Sequence, residues 1–190
     1  MFCETGLLMR GRIWYTGAKK EGEKLEPYEA ELYAVFQKIG ITEYRVHEHK
    51  AIFSTREAEE EGLTMPGLNL KNLLIKDKKT EHFYMIVLED HRQMDAKHFK
   101  TLTGWGKIRF ANEEEMWDLL RLTPGAVSPF GLLNDKDHRV TVVLERLITR
   151  APDEELVNFH PNRNTATLSL RKADFLKFLD YMGTEIIFEE

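Results

Sequence analysis

Two neighbouring apolar segments constrain the fold of this chain more than any other feature. Residues 70–76 and 82–88 are rich in leucine, isoleucine, valine and aromatic residues, and the polar stretch 77–80 separates them. Runs of this length and composition are typical of β-strands, and a short polar connection between two of them predicts a hairpin. We therefore expect a sheet organised around this hairpin.

Helical patterns lie on both sides of the hairpin. Apolar residues recur at helical spacing from Pro27 to a stop at Gly40, and residues 172–182 carry an apolar face that ends at Gly183. Asn112 is a cap for a helix over 113–121, and Ser54 with Glu57 forms a capping box for a helix ending near Gly62. A further helix is predicted at 95–102, an irregular loop at 123–134, and short strands at 44–46, 107–110, 140–144, 155–159, 165–170 and 185–188.

The irregular mixture of helices and strands predicts the fold class. We expect a single α+β domain with a mixed, mostly antiparallel sheet that is curled toward a barrel and flanked by helices. Residues 25–190 are assigned to this domain and residues 1–24 to an N-terminal appendage. The length of 190 residues is enough to bury a sizeable core.

The composition limits the cellular compartments and the binding partners that we expect for this protein. Cys3 is the only cysteine, which fits a reducing cytoplasm, and no apolar run reaches the length of a membrane helix. Residues 1–10 also lack the pattern of a secretory signal. The net charge is −5, but residues 71–110 hold nine basic against five acidic residues. That segment either contacts a phosphate backbone or is an ordinary solvated surface.

Common motifs for phosphate, dinucleotide, zinc-protease and serine-hydrolase chemistry do not occur in the sequence. His47 and His49 lie on one face of a predicted strand, but no third metal ligand accompanies them, so a packing or surface role is favoured. We therefore expect neither a metal nor a cofactor.

Three segments carry candidate chemistry. Lys71, followed by Asn72, enters an apolar strand, where a lysine needs a partner or must extend out to solvent. The loop around Gly125 combines two prolines with glycines and either presents backbone N–H groups to a ligand or is only a rigid connector. His160, beside Pro161 at a predicted strand end, either faces a pocket or is an ordinary loop histidine.

These segments, in this order, resemble the prolyl-tRNA editing family, the YbaK/ProX-like deacylases. The resemblance runs from about Leu25 to the C-terminus and rests on KNLLIKD at 71–77, TPGAVSPFGL at 123–132, and FHP at 159–161 followed by NT at 164–165. The loop is closer to the branch that removes alanine from tRNA(Pro) than to the branch that removes cysteine. Glu145 and Asn162 depart from the family pattern, which often has Asp and an apolar residue there.

The resemblance implies a trans-acting hydrolase that deacylates mischarged Ala-tRNA(Pro), with tRNA(Pro) as partner and prolyl-tRNA synthetase as a further candidate partner. It implies attack by water, assisted by the free ribose hydroxyl of the substrate, with an oxyanion stabilised by the site. The implied catalytic residues are Lys71, Gly125 and His160. The implied substrate-binding residues are Asn72, Thr123, Ala126, Val127, Ser128 and Pro129.

Two alternatives remain open. The chain could deacylate another small residue, as in Cys-tRNA(Pro), or it could be a tRNA-binding module without catalytic activity. The second alternative predicts salt-sensitive tRNA binding with no ester cleavage.

Overall fold

The computed structural model describes residues 13–16, 27–52, 57, 62 and 65–190. Five α-helices and one 3₁₀ helix lie in this part of the chain. The helices are α1 (Pro27–Lys38), α2 (Ala96–Thr103), α3 (Glu113–Leu120), the 3₁₀ helix (Pro129–Asn134), α4 (Arg146–Arg150) and α5 (Lys172–Met182). The strands are β1 (Ile13–Thr16), β2 (Tyr44–Glu48), β3 (Leu68–Asp77), β4 (Phe83–Glu89), β5 (Ile108–Phe110), β6 (Val140–Leu144), β7 (Leu156–Phe159), β8 (Ala166–Arg171) and β9 (Ile186–Phe188).

The nine described strands form one mixed sheet in the order β1-β2-β8-β7-β3-β4-β6-β9, with β5 on the C-terminal part of β3. The pairs β2–β8, β7–β8, β3–β4 and β3–β5 are antiparallel, and the pairs β1–β2, β3–β7, β4–β6 and β6–β9 are parallel. The predicted α+β fold is confirmed. The sheet is curled but not closed, since its path ends at β1 and at β9. β1 lies within the predicted appendage; residues 1–12 and 17–26 lie outside the described part.

β3 joins the two halves of the sheet. Its first residues, Leu68 and Asn69, pair with Val157 and Asn158 of β7, while residues 70–76 pair with β4. The parallel contact with β7 is therefore only two residues long. Beyond it the two strands part, and this divergence is the structural feature around which the candidate site is built.

Two apolar clusters cover the faces of the sheet. In the larger one Phe130 of the 3₁₀ helix packs edge-on against Phe36, Phe159 and Phe178, with ring centroids 5.2 to 5.6 Å apart. The smaller one lies on the other face of β3 and β4, where Phe99 of α2 and Trp105 are buried. Alternation along β3 sends successive side chains into opposite clusters.

Most predicted elements are confirmed to within a few residues. Asn112 caps α3 with a full capping box to Glu115, and Asp95 caps α2. The prediction of an irregular loop at 123–134 was wrong for its second half, because Pro129 and the buried hydroxyl of Ser128 start a 3₁₀ helix there. α4 was not predicted. The predicted helix from Ser54 falls largely outside the described residues, and no helix among the described ones is long and apolar enough to cross a membrane.

Candidate functional site

Lys71 lies on β3 opposite Leu88 of β4, and its side chain is partly buried. Its Nζ donates a hydrogen bond of 2.6 Å to the carbonyl oxygen of Asp90, in the turn that follows β4. An ammonium group has three donors. Within the described structure this is the one hydrogen bond Lys71 makes, so the group is held in place and keeps donors for a ligand.

Asn72 points to the opposite face of β3 because neighbouring residues of a strand alternate. Its Nδ2 donates to the carbonyl oxygen of Val127 at 3.1 Å, which ties the glycine-proline loop to β3. Lys71 and Asn72 are therefore adjacent, as the sequence requires, but their side chains leave the strand in opposite directions.

The loop itself is ordered by short internal bonds. Gly125 has φ +85°, a left-handed conformation that favours glycine. The Ala126 N–H donates to the Thr123 carbonyl at 3.0 Å, so it is already in use, whereas the Gly125 N–H has no acceptor in the described structure. Ser128 is fully buried and its hydroxyl accepts from the Phe130 N–H at 3.3 Å, and Pro129 is buried beside it. Their predicted role in substrate binding stays a prediction.

His160 directly follows β7. Its Nδ1 donates to the carbonyl oxygen of Ala166 at 2.8 Å, because a carbonyl can only accept. This bond fixes the tautomer and leaves Nε2 with a lone pair that no described group uses. Burial lowers the pKa of His160, and the nearby His49 and Arg163 act in the same direction against the opposing bond to Ala166. The imidazole is therefore neutral near pH 7 and offers an acceptor.

His49 is a neighbour of His160, with ring centroids 6.1 Å apart. Its Nδ1 bonds to the Lys50 carbonyl at 2.7 Å and its Nε2 lies 3.0 Å from the Thr167 hydroxyl. Both ring nitrogens are occupied, which agrees with the packing role favoured for this histidine.

The divergence of β3 from β7 lies next to all three segments, but the loop contacts Asn72 and Phe159, which lie on the face of the strands opposite Lys71. Asn69 and Asn158, the last paired residues, are joined by a side-chain hydrogen bond of 3.2 Å. Lys71 and His160 each lie two residues past this pair, on strands that run in the same direction. The loop reaches both strands, through Val127 to β3 and through Phe130 to β7. No hydrogen bond joins Lys71 directly to His160.

Buried polar atoms without partners occur in these segments, on both faces of β3. Among the described residues four such side-chain atoms occur: Oδ1 of Asn72, Oδ1 of Asp90, and both amide atoms of Asn162. Nearly all buried polar groups in folded proteins are hydrogen-bonded, so an orphan indicates a bound water or a ligand. Asn72 is adjacent to Lys71 in the sequence, and the Asp90 carbonyl oxygen accepts a hydrogen bond from Lys71. Asn162 follows His160 by two residues.

Sequence reasoning missed Asp90, although the hairpin register could have identified it. Pairing 70–76 with 83–89 puts residue 90 opposite Asn69, and the Asp90 N–H donates to the Asn69 carbonyl at 3.0 Å. Glu145 stabilises this turn, since its Oε2 accepts a hydrogen bond from the Glu89 N–H at 2.8 Å. The departure from the family pattern at 145 thus has a structural role.

Potential metal ligands lie close together only in this turn of the described structure. Glu89, Asp90 and His91 bring one ligand atom each to within 4.8 Å of one another. They are consecutive residues of one turn, His91 is exposed, and a Glu89 oxygen is already an acceptor for the His91 N–H at 3.2 Å. This arrangement does not by itself indicate a metal centre.

A cleft adjoins the turn that follows β4 and is lined in part by Glu145, Glu189, Arg92 and His98. Its carboxylates are paired: Glu145 with Arg92, and Glu189 with His98 at 2.9 Å and with Arg146 at 3.2 Å. The bonds from Arg146 and His98 lower the pKa of Glu189 although burial opposes them. Satisfied ion pairs of this kind stabilise the junction of α2, α4 and β9.

Comparison with known proteins gives the family. Residues 49–178 match the family model described as the aminoacyl-tRNA editing domain. The chain is 34% identical over 141 residues to the prolyl-tRNA editing protein ProX of Acetoanaerobium sticklandii, covering 74% of this chain and 84% of that protein. It is 33% identical over 155 residues to the mouse prolyl-tRNA synthetase associated domain-containing protein 1, covering 80% and 90% of the two chains.

A solved structure agrees in fold. The crystal structure of a candidate trans-editing enzyme for prolyl tRNA synthetase superposes with a TM-score of 0.61 at 19% identity, covering 88% of this chain and 100% of that one. The matched family spans more than half of the chain and includes Lys71, Gly125 and His160. The chain therefore belongs to the aminoacyl-tRNA editing domain family and is a deacylase, a hydrolase that acts on the aminoacyl ester.

Proposed function

We propose that this protein is a trans-acting editing enzyme that hydrolyses the ester of mischarged Ala-tRNA(Pro). The observation that carries the proposal is the placement of Lys71 and His160 at corresponding positions on either side of the diverging strands β3 and β7. The first supplies a fixed positive charge and the second a neutral imidazole acceptor, and the Gly125 loop contacts both strands.

These groups suit ester hydrolysis by water. The Lys71 ammonium and the Gly125 N–H donate to the ester carbonyl oxygen and stabilise the oxyanion that forms when the oxygen of water bonds to the carbonyl carbon. His160 Nε2 accepts a hydrogen bond from the attacking water or from the free ribose hydroxyl that positions it. Collapse of the oxyanion breaks the bond to the ribose oxygen, which takes up a proton, and releases the amino acid.

The remaining site residues are proposed to shape the pocket. Asn72 holds the loop against β3, and the loop residues Thr123, Ala126, Val127, Ser128 and Pro129 form a wall whose rigidity excludes the larger proline side chain while admitting alanine. The name of the relative ProX supports a prolyl-tRNA substrate, and the name of the mouse relative supports prolyl-tRNA synthetase as a partner. We propose the cytoplasm as the compartment, because tRNA is charged and edited where translation takes place.

A panel of mischarged tRNAs tests the proposal. Release of labelled amino acid from Ala-, Cys-, Ser- and Pro-tRNA(Pro) is measured for wild type, for Lys71→Ala and for Lys97→Ala, an exposed lysine on α2 that serves as the matched control. We expect preferential release of alanine and a loss of roughly 100-fold or more in Lys71→Ala with an unchanged melting temperature.

Each other outcome contradicts a defined part of the proposal. Near-normal turnover in Lys71→Ala would exclude Lys71 as a catalytic residue. Release of cysteine or serine faster than release of alanine would identify Cys- or Ser-tRNA(Pro) as the substrate instead. Salt-sensitive binding of tRNA without cleavage of any ester would identify a non-catalytic binding module instead.

A further inference from the structure

Asp90 is positioned by its backbone rather than by its side chain. Its N–H donates to the Asn69 carbonyl at 3.0 Å, and its own carbonyl oxygen accepts from Lys71 Nζ at 2.6 Å. The residue is thus held on both sides by β3. Its carboxyl group lies only a few bonds away from the oxygen that holds the Lys71 ammonium.

One oxygen of the carboxyl group lacks a hydrogen-bond partner. The side chain is 18% exposed, and Oδ1 is buried without a hydrogen bond. Nε2 of the exposed His91 imidazole lies 3.4 Å from Oδ1, and Glu89 is an acidic neighbour. Burial, followed by the contact with Glu89, raises the pKa of Asp90, and the contacts with His91 act to lower it. Carboxylates in such surroundings are normally paired with a cation or neutralised.

Every aminoacyl ester carries a cation of the required kind. Its α-ammonium nitrogen lies roughly 2.5 Å from the reacting carbonyl carbon, given the lengths of the two bonds between them. An ester whose carbonyl oxygen is held by Lys71 therefore has its ammonium group within reach of a carboxylate that is attached to the same anchoring residue. An ammonium group also offers several N–H donors, and Oδ1 of Asp90 is an acceptor that receives no other hydrogen bond.

We propose that Asp90 binds the α-ammonium group of the aminoacyl ester and so makes the enzyme select esters with a free amino group over N-acylated esters. The inference rests on the proposed function, because it places the ester carbonyl at Lys71. Its consequence is that peptidyl esters, in which the nitrogen is acylated and uncharged, are rejected while aminoacyl esters are accepted.

Binding of a stable analogue tests the inference without requiring hydrolysis. The probes are 3′-deoxy-3′-(alanylamino)adenosine, in which an amide replaces the ester, and its N-acetyl derivative. Dissociation constants are measured calorimetrically for wild type, for Asp90→Asn and for Asp118→Asn, an exposed acid on α3 that serves as the control. We expect wild type and Asp118→Asn to bind the free amine roughly 10- to 100-fold more tightly, the range of one hydrogen-bonded charge. Asp90→Asn should bind both probes equally.

Several results would overturn the inference. Equal binding of the two probes by wild type, or a preference retained by Asp90→Asn, would show that Asp90 does not bind the ammonium group. Loss of the wild-type preference on adding EDTA would show that Asp90 holds a divalent cation instead. Should Asp90→Asn unfold, Asp90→Ala gives the same comparison, since both backbone bonds of residue 90 are kept.

The same variants separate this inference from the proposed function. A preference for the free amine that depends on Asp90, without cleavage of any mischarged tRNA, would support the binding site and contradict hydrolysis. Equal cleavage of Ala-tRNA(Pro) and N-acetyl-Ala-tRNA(Pro) by wild type would support hydrolysis and contradict the role of Asp90.

Discussion

Substitution of Gly67 should lower both the stability of the protein and its activity. It precedes β3 with φ +91°, and a Cβ added to it would lie 2.6 Å from the Leu156 Cβ and closer still to the Leu156 carbonyl oxygen. The neighbouring atoms belong to β7 and its backbone, so they cannot move aside as a flexible side chain would. Gly67→Ala therefore has to push β3 and β7 apart at their only two-residue contact.

The size of the effect follows from two costs. The left-handed conformation costs a residue other than glycine about 1–2 kcal/mol, and overpacking a rigid contact costs about 1–3 kcal/mol more. Gly104→Ala is the matched control, because Gly104 has φ +70° but nothing within 4 Å of its added Cβ. We expect Gly67→Ala to lower the free energy of unfolding by about 3 kcal/mol and the melting temperature by roughly 6–12 °C. Gly104→Ala should show the conformational cost alone.

Activity should separate the two variants more clearly than stability does. A shift of about 1 Å between Lys71 and His160 is enough to cost roughly 100-fold in rate. We expect this loss in kcat/KM for Gly67→Ala, measured on Ala-tRNA(Pro) well below its melting temperature, and wild-type activity for Gly104→Ala. Equal destabilisation of both variants, or full activity in Gly67→Ala, would refute the view that the β3–β7 contact sets the geometry of the site.

Two further predictions concern pH. The hydrogen bonds from Arg109 lower the pKa of Glu115 from 4.5 to about 2 against the effect of burial. The stabilisation that the ionised Glu115 provides is therefore complete above about pH 5 and is lost as the pH falls toward 2. Glu115→Gln should lower the free energy of unfolding, measured by urea denaturation, by about 2 kcal/mol at pH 7 and by much less near pH 2. His160 has a pKa below 6.5, so kcat/KM should fall only at pH values below this as the imidazole is protonated; an identical acid limb in His160→Gln would exclude this assignment.

The fold was predictable where local patterns agree with the tertiary structure. The hairpin of β3 and β4 follows from two apolar runs and a polar turn. Asn112 begins a helix and Gly183 ends one for reasons of backbone chemistry that do not depend on distant residues. The 3₁₀ helix was missed because its stability comes from burying Phe130 among aromatic rings contributed by α1, β7 and α5. Such a contact cannot be inferred from the segment 129–134 alone.

The candidate site was predictable in its parts but not in its arrangement. Lys71 and His160 were identified from the sequence, yet their common position depends on the parallel pairing of β3 with β7, which are about ninety residues apart. Asp90 was missed for a related reason, because a single acid after a strand has no distinguishing pattern until the register places it beside Lys71. Long-range pairing, rather than local propensity, creates the site.

Asn162 shows how the demands of folding and of function diverge at this site. Its backbone is left-handed, with φ +63°, and both polar atoms of its amide are buried without partners. Its neighbour Arg163 anchors the same connection through bonds to Glu29 at 2.7 Å and to Glu48 at 2.6 Å. The loop would therefore keep its place without the amide, which costs stability instead of providing it. Unpartnered polar atoms also occur at Asn72 and Asp90, and a bound water or a polar ligand would supply the missing partner at each of the three residues.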